Sequence, residues 1–333
     1  MEGSEPVGEH ERPTASDPTP SRPSNKSTGR VIAMMNQKGG VGKTTTTVNL
    51  AAALAKRGRR VLLVDLDPQA HASMHLGVEH EGPSVYDLLT HTNESGEHDA
   101  RSVLADAVVR VGPRLRVIPA ETDLAGAELE LASASNRHGR LRAALERLSR
   151  GEGGPDITLI DCPPSLGLLT LNALAAAREV IVPMQAHFLA LQGVGKLLET
   201  VSLMSQDLNP ALRVAGIVLC MHDAQATLSR EVVADLRGFL EQASGTDLPW
   251  AGARVFDPPI RRNVKLAEAP SFGQTVFDYA PTAAGAEDYL ALAADVDAET
   301  DRRPDEADAH AAPEVVVVDR PADAPSADAP AAP

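Results

Sequence analysis

Lys38-Gly39-Gly40-Val41-Gly42-Lys43-Thr44-Thr45 follows the apolar run Val31-Ile32-Ala33-Met34-Met35 and precedes a stretch compatible with a helix. A buried strand, a glycine-rich turn and a helix in that order read as a P-loop. Its glycines let backbone N–H groups converge on phosphate oxygens at a helix N-terminus, so Gly39, Gly40, Val41, Gly42 and Thr45 are expected to cradle phosphates. Lys43 has the reach for β- and γ-phosphates, and Thr44 offers Mg²⁺ a hydroxyl. ATP and Mg²⁺ are the cofactors this stretch predicts.

Working outward, Val61-Leu62-Leu63-Val64-Asp65-Leu66-Asp67-Pro68-Gln69 reads as a buried strand closed by two carboxylates. Two acids beside a triphosphate repel it unless a cation intervenes or one of them activates water. Without the P-loop, acids ending a strand are as readily turn formers. A third apolar run, Ile157-Thr158-Leu159-Ile160, ends in Asp161, where a carboxylate can hold Mg²⁺ through water. The prolines Pro163 and Pro164 then break the chain.

Between residues 30 and 297, short β-branched runs alternate with Ala/Leu-rich stretches of helical length. Strands are expected at 31–35, 61–65, 115–119, 157–161, 180–183, 214–220 and 253–256, and helices at 43–57, 137–150, 166–177, 189–205, 229–242 and 284–294. The fold class is α/β: a mostly parallel twisted sheet of about seven or eight strands with helices on both faces. Open sheets of this kind bind ligands at the carboxyl ends of their strands. A polar excursion at 91–99 reads as an exposed loop. Residues 1–29 and 298–333, rich in Pro, Ala, Ser and acids, are expected to be disordered extensions around one ATPase domain at 30–297. Within the second of them, Val315-Val316-Val317-Val318 is an apolar exception that suits either an inert stretch or a short partner-binding strand.

Composition narrows the alternatives. Aromatic residues make up 3% of the chain, so a base-stacking RNA binder is disfavoured. Two cysteines, Cys162 and Cys220, supply neither a disulfide framework nor a zinc cluster, and both read as buried thiols. A formal charge of −15 argues against a generally basic nucleic-acid binder, although local cationic patches remain possible. With no apolar signal stretch or membrane span in view, a cytoplasmic protein is expected.

Taken together, these strings resemble the ParA/MinD superfamily of deviant P-loop ATPases, and within it the chromosomal ParA/Soj partition proteins. The likeness covers nearly all of residues 30–297. It extends to Asp161-Cys162-Pro163-Pro164-Ser165-Leu166-Gly167 and to Leu266-Ala267-Glu268-Ala269-Pro270-Ser271-Phe272-Gly273. The resemblance implies that Lys38 reaches across an ATP-dependent homodimer to the partner's phosphates. It also implies that Asp67 orients the attacking water and that Asp65, with Thr44 and Asp161, belongs to the metal environment. Slow ATP hydrolysis stimulated by a ParB-type DNA-binding protein, nonspecific DNA binding and association with the nucleoid are further implications.

For DNA, the family segment matching 221–228 usually carries an arginine where this chain has Gln225, while Arg261, Arg262 and Lys265 cluster where the family places its other key cation. Arg261 replaces a proline usual there. A MinD-like ATPase that cycles on membranes would need a basic amphipathic helix at its end, and this carboxyl terminus is acidic. The iron protein of nitrogenase-like reductases would need cluster-ligating cysteines that Cys162 and Cys220 do not match. A ParA-like ATPase that positions a protein cargo would share the same core.

Overall fold

The computed structural model describes residues 29–90, 97–134, 136–151 and 153–302. One sheet contains β1 (Arg30–Met34), β2 (Val61–Asp65), β3 (Val109–Arg110), β4 (Leu115–Ile118), β5 (Ile157–Asp161), β6 (Glu179–Met184), β7 (Arg213–Leu219) and β8 (Arg254–Val255). Their spatial order is β3-β4-β2-β5-β1-β6-β7-β8, and every neighbouring pair is parallel except β3 with β4. The seven expected strands all form. β3 is an antiparallel edge strand of two residues, too short for any apolar run to announce it.

Strands buried on both faces are near-continuous hydrophobic runs, and their alternation feeds two cores. Ile32 and Met34 point into one core with Val61, Leu63, Ile157 and Leu159. Ala33 and Met35 point into the other with Leu62, Val64 and Ile160. The helices Lys43–Lys56 and Ala284–Arg302 cover the first face, and Arg140–Arg150, Leu168–Ala176 and Thr227–Ala243 cover the second. The long helix Phe188–Asp207 also packs on that second face, through Val194, Leu197 and Val201.

The short helices His71–His75, Val85–Thr90, Leu124–Ala132, Val264–Glu268 and Val276–Tyr279 were not predicted, because fewer than three turns carry little periodicity. Residues 91–96 of the expected polar loop lie outside the described residues, and a helix, Glu97–Asp106, takes over from Glu97. The last helix runs to Arg302, past the expected boundary at 297. Residues 1–28 and 303–333, with the Val315–Val318 run, lie outside the described residues. Among the described residues no helix is long and apolar enough to cross a membrane.

Register is what positions the site. β2 and β5 are neighbours with Asp65 opposite Asp161, and β5 pairs β1 with Asp161 opposite Met34. The three motif segments therefore leave the sheet side by side at its carboxyl edge.

Candidate functional site

The turn after β1 is shaped by glycine backbone. Gly40 and Gly42 have φ of 73° and 92°, in the left-handed region that a side chain resists. Gly42 is further restricted because a Cβ there would meet the Cys220 Cβ at 3.2 Å. Around Gly39 and Gly40, by contrast, a Cβ would meet nothing within 4 Å, so that side of the loop is open. The first intrahelical bond runs from Thr46 N to Gly42 O at 2.8 Å, which leaves the N–H groups before it without a helical acceptor. Asn36 anchors the loop's start, donating to Pro183 O at 2.7 Å and accepting from Lys38 N at 2.9 Å. Gln185 holds its crest, donating to Gly40 O at 3.1 Å.

Gln37 stands five residues before Gly42, where the general P-loop pattern has its first glycine. The pattern is thus met only at its closing Gly-Lys-Thr. The Gln37 Nε2 is buried without a hydrogen-bond partner.

Asp161 is fully buried and draws the site together. Its Oδ1 accepts from Thr47 Oγ1 at 2.8 Å and from Lys43 Nζ at 3.3 Å, and its Oδ2 accepts from Thr44 Oγ1 at 2.7 Å. Thr47, one turn along the helix, was missed in the sequence. A hydroxyl four residues after Lys43 on the same helical face was the available signal. Lys43 is buried as well, with Asp67 Oδ2 at 3.9 Å. Burial opposes its charge, but Asp161 and Asp67 outweigh it and hold its pKa above the ordinary lysine value. Lys38 is exposed at the loop's outer side.

The two carboxylates after β2 divide. Asp67 Oδ1 accepts from Gln69 N at 3.0 Å, and Oδ2 faces Lys43. Asp65, expected in the metal environment, is turned inward: Oδ2 accepts from Ser73 N and Oγ, both at 2.8 Å, and Oδ1 from Asp67 N at 3.3 Å. Burial, and then the charge of Asp161, push its pKa up to about 7. Its geometry is that of an anchor for the loop that carries Asp67. Strand alternation alone could not foresee this, because the strand stops at Asp65 and the chain turns. Among the described residues no group of three or more His, Cys, Asp or Glu side chains is arranged to hold a metal by itself.

Leu266–Gly273, the second specific string, braces this loop from outside. Gly77 and Gly273 both have φ of 63°, and a Cβ on Gly273 would stand 2.8 Å from the Gly77 Cα, so the two backbones touch. Asn49 Oδ1, in the helix after the P-loop, accepts from Val276 N at 2.8 Å. Cys162 and Cys220 are buried and free, and burial pushes their thiols up to about 12 and about 11, so neither is a nucleophile.

The expected cationic cluster is built differently from its reading. Arg261 is held by Asp288, with Nη2 at 2.7 Å and Nε at 3.0 Å, and its Nη2 also reaches Glu287 at 3.3 Å. Lys265 pairs with Glu268 at 2.8 Å. Of the three, Arg262 alone is exposed without an ion pair among the described residues. Two of three expected DNA contacts are therefore neutralised by acids, one set of which comes from a helix more than twenty residues away. The structure does bring the Gln225 loop and this segment together, through His222 N to Ile260 O at 2.9 Å and Arg262 N to His222 O at 3.4 Å. Beside them a cavity of about 300 Å³ is lined by His222, Arg230 and Arg237. Those arginines, seven residues apart on one helix face, were a signal that went unread.

A family profile described as an AAA domain matches residues 29–214. The chromosome partitioning protein ParA of Myxococcus xanthus is 44% identical over 266 residues, covering 79% of this chain and 86% of that protein. The chromosome-partitioning ATPase Soj of Thermus thermophilus is 47% identical over 267 residues, covering 80% and 95%. Among solved structures, cobyrinic acid a,c-diamide synthase from Mycobacterium smegmatis, with bound ATP analog and magnesium, matches with a TM-score of 0.62 at 38% identity, covering 80% of this chain and 94% of that one.

Proposed function

The chain belongs to the ParA/Soj family of chromosome-partitioning ATPases, and on that premise we propose that it hydrolyses ATP with Mg²⁺, dimerises on ATP, holds DNA without sequence preference and drives partition with a ParB-type partner. The observation that carries the reading is the convergence of Lys43, Thr44 and Thr47 on buried Asp161 beside an open glycine loop. The donor set fits Mg·ATP. Asp161 and Thr44 offer one carboxylate and one hydroxyl, and Mg²⁺ takes its remaining ligands from phosphates and water rather than from a protein cage. When bound, the ion would neutralise charge developing on the phosphate oxygens.

The chain's own residues supply the rest. Loop N–H groups and Lys43 hold phosphate, at a helix N-terminus that favours negative charge. Asp161 keeps the Lys43 ammonium charged and aimed at the loop. Asp67, fixed by Gln69 N and by the Asp65 anchor behind it, orients and accepts a proton from water. Lys38, exposed on the loop, is free to reach the phosphates of a second copy. The ATPase unit spans residues 30–302, five past the boundary expected from the sequence.

DNA retention rests on Arg262 with Arg230 and Arg237, while Arg261 and Lys265 stay with their carboxylate partners. A patch doubled by dimerisation binds in a strongly salt-dependent way. The test is retention on random duplex at several salt concentrations with no nucleotide, ADP or ATP, for the wild type and an Arg230→Ala/Arg237→Ala/Arg262→Ala variant. Retention only with ATP, lost in the variant, is expected. An intact ATP dimer that retains no DNA would replace this reading with an ATPase that positions a protein cargo.

A further inference from the structure

At the amino end of the sheet, opposite the nucleotide edge, lies a second cavity of about 680 Å³. Leu104 and Leu148 give it an aliphatic wall, and Arg110, Arg116, Arg147 and Arg150 give it a cationic one. On a chain with a formal charge of −15 such a concentration of arginine is out of keeping with the whole. Arg110 has no ion-pair partner among the described residues. Arg116 donates to a carbonyl, Gly153 O, at 2.8 Å, and Arg150 reaches Glu146 only at 3.7 Å. Burial, then the charges of Arg110 and Arg60, hold the Arg116 guanidinium below its ordinary pKa, as crowding of like charges demands. The cavity suits a ligand that is both anionic and aliphatic, which a bare phosphate is not.

The chain carries such a ligand. Pro313-Glu314-Val315-Val316-Val317-Val318-Asp319 places four valines between two carboxylates, and residues 303–333 hold seven carboxylates against two arginines. The point of departure is close. Asp297, near the end of the helix Ala284–Arg302, pairs with Arg57 at 3.2 Å and Arg59 at 2.6 Å. The next residue, Arg60, donates its N–H to Asp156 at 2.7 Å, beside Pro155 in the cavity wall. The eleven residues from Arg303 to Pro313 can span up to about 36 Å. β3, which borders the cavity through Arg110, ends the sheet and presents an open strand edge.

We propose that residues 314–319 of this chain's carboxyl-terminal segment dock in the arginine-lined cavity at the amino end of the sheet, the valines against Leu104 and Leu148 and the two carboxylates on the guanidinium groups. The segment is a built-in occupant of a surface that would otherwise draw polyanions, and the contact weakens with salt.

Hydrogen exchange on the full chain, read over residues 104–118 and 145–156, tests this. A Val315→Ser/Val317→Ser variant and a Glu314→Lys/Asp319→Lys variant should each exchange about threefold faster there and nowhere else in the fold. Adding Arg110→Glu/Arg150→Glu to the second variant should restore protection by reversing both signs, and protection should be unchanged on tenfold dilution. Equal exchange in all variants would overturn the proposal. Protection lost on dilution would overturn it in favour of the segment of a second copy. Protection by random duplex DNA in a chain whose segment variants behave as wild type would assign the cavity to nucleic acid.

Discussion

The nucleotide edge and the Arg261–Lys265 segment were read from equally short strings, yet at the first Lys43 and Thr44 converge on Asp161 while at the second two of three cations are taken up by acids. At the nucleotide edge Asp161 and Asp67 sit at or just past the ends of buried strands whose neighbours and register are fixed, and Lys43 and Thr44 open the helix that follows a third. Lys43, Thr44 and Asp161 come together because β1 and β5 are adjacent. At the cationic segment, three positive charges within five residues look like a patch. The helix Ala284–Arg302 folds back and places Asp288 and Glu287 on Arg261. A sequence shows what a residue offers its neighbours, and where those neighbours arrive from afar it is silent.

The sharpest way to break this comparison is to remove the group at the centre of the better-read region. Lys43→Ala should lower ATP turnover by at least about 100-fold, since it deletes the charge aimed at the developing phosphate oxygens. Phosphate release in steady state reads this directly, and a loss below tenfold would mean that Lys43 serves Asp161 structurally and not the nucleotide.

A second test concerns the interior that braces the Asp67 loop. His75 is buried, and burial, opposed by a hydrogen bond to the Gln274 backbone, pulls its pKa down from 6.5 to about 4. The fold therefore keeps the imidazole neutral while the unfolded chain protonates it. Its contribution is complete above pH 6.5 and is lost as pH falls from there to about 4, a cost of about 3 kcal/mol across that window. Chemical denaturation of His75→Gln against wild type at pH 7.5 and pH 5 should show the variant losing less stability on acidification. Equal losses would remove His75 from the account.

The third test separates Arg261 from Arg262. Arg261→Ala strands the Asp288 carboxylate, which is 3% exposed, so the melting temperature should fall while DNA retention changes less than about twofold. Arg262→Ala should leave stability within about 0.5 kcal/mol, as for an exposed residue without partners, and weaken DNA retention. The reverse pattern would mean that the Arg261 ion pair opens on DNA. The smallest effect expected is on the salt dependence of retention, whose log–log slope should lose about one unit per phosphate contact for each copy of Arg262 removed.

The expected sheet was legible because buried parallel strands are continuous apolar runs, as Ile157–Asp161 is. β3 escaped notice at two residues, and His71–His75 at little more than one turn. Within the site, Lys43, Thr44 and Asp161 were legible from the chemistry that phosphate and Mg²⁺ demand. Asp65 turns inward to Ser73, which lies on the short helix His71–His75 whose placement no local pattern encodes. The role of Leu266–Gly273 as a brace was invisible for a similar reason: it depends on two glycine backbones, Gly77 and Gly273, touching across almost two hundred residues.

The central claim is that ATP is held at the carboxyl edge of the sheet and hydrolysed there with Asp67 at the water. Its most direct test is ATP binding, dimer formation and turnover measured together on an Asp67→Ala variant. The account predicts bound ATP and an ATP-dependent dimer, with turnover reduced at least about 100-fold for lack of the group that positions and deprotonates water. Turnover close to wild type, or a variant that remains monomeric with ATP bound, would contradict it.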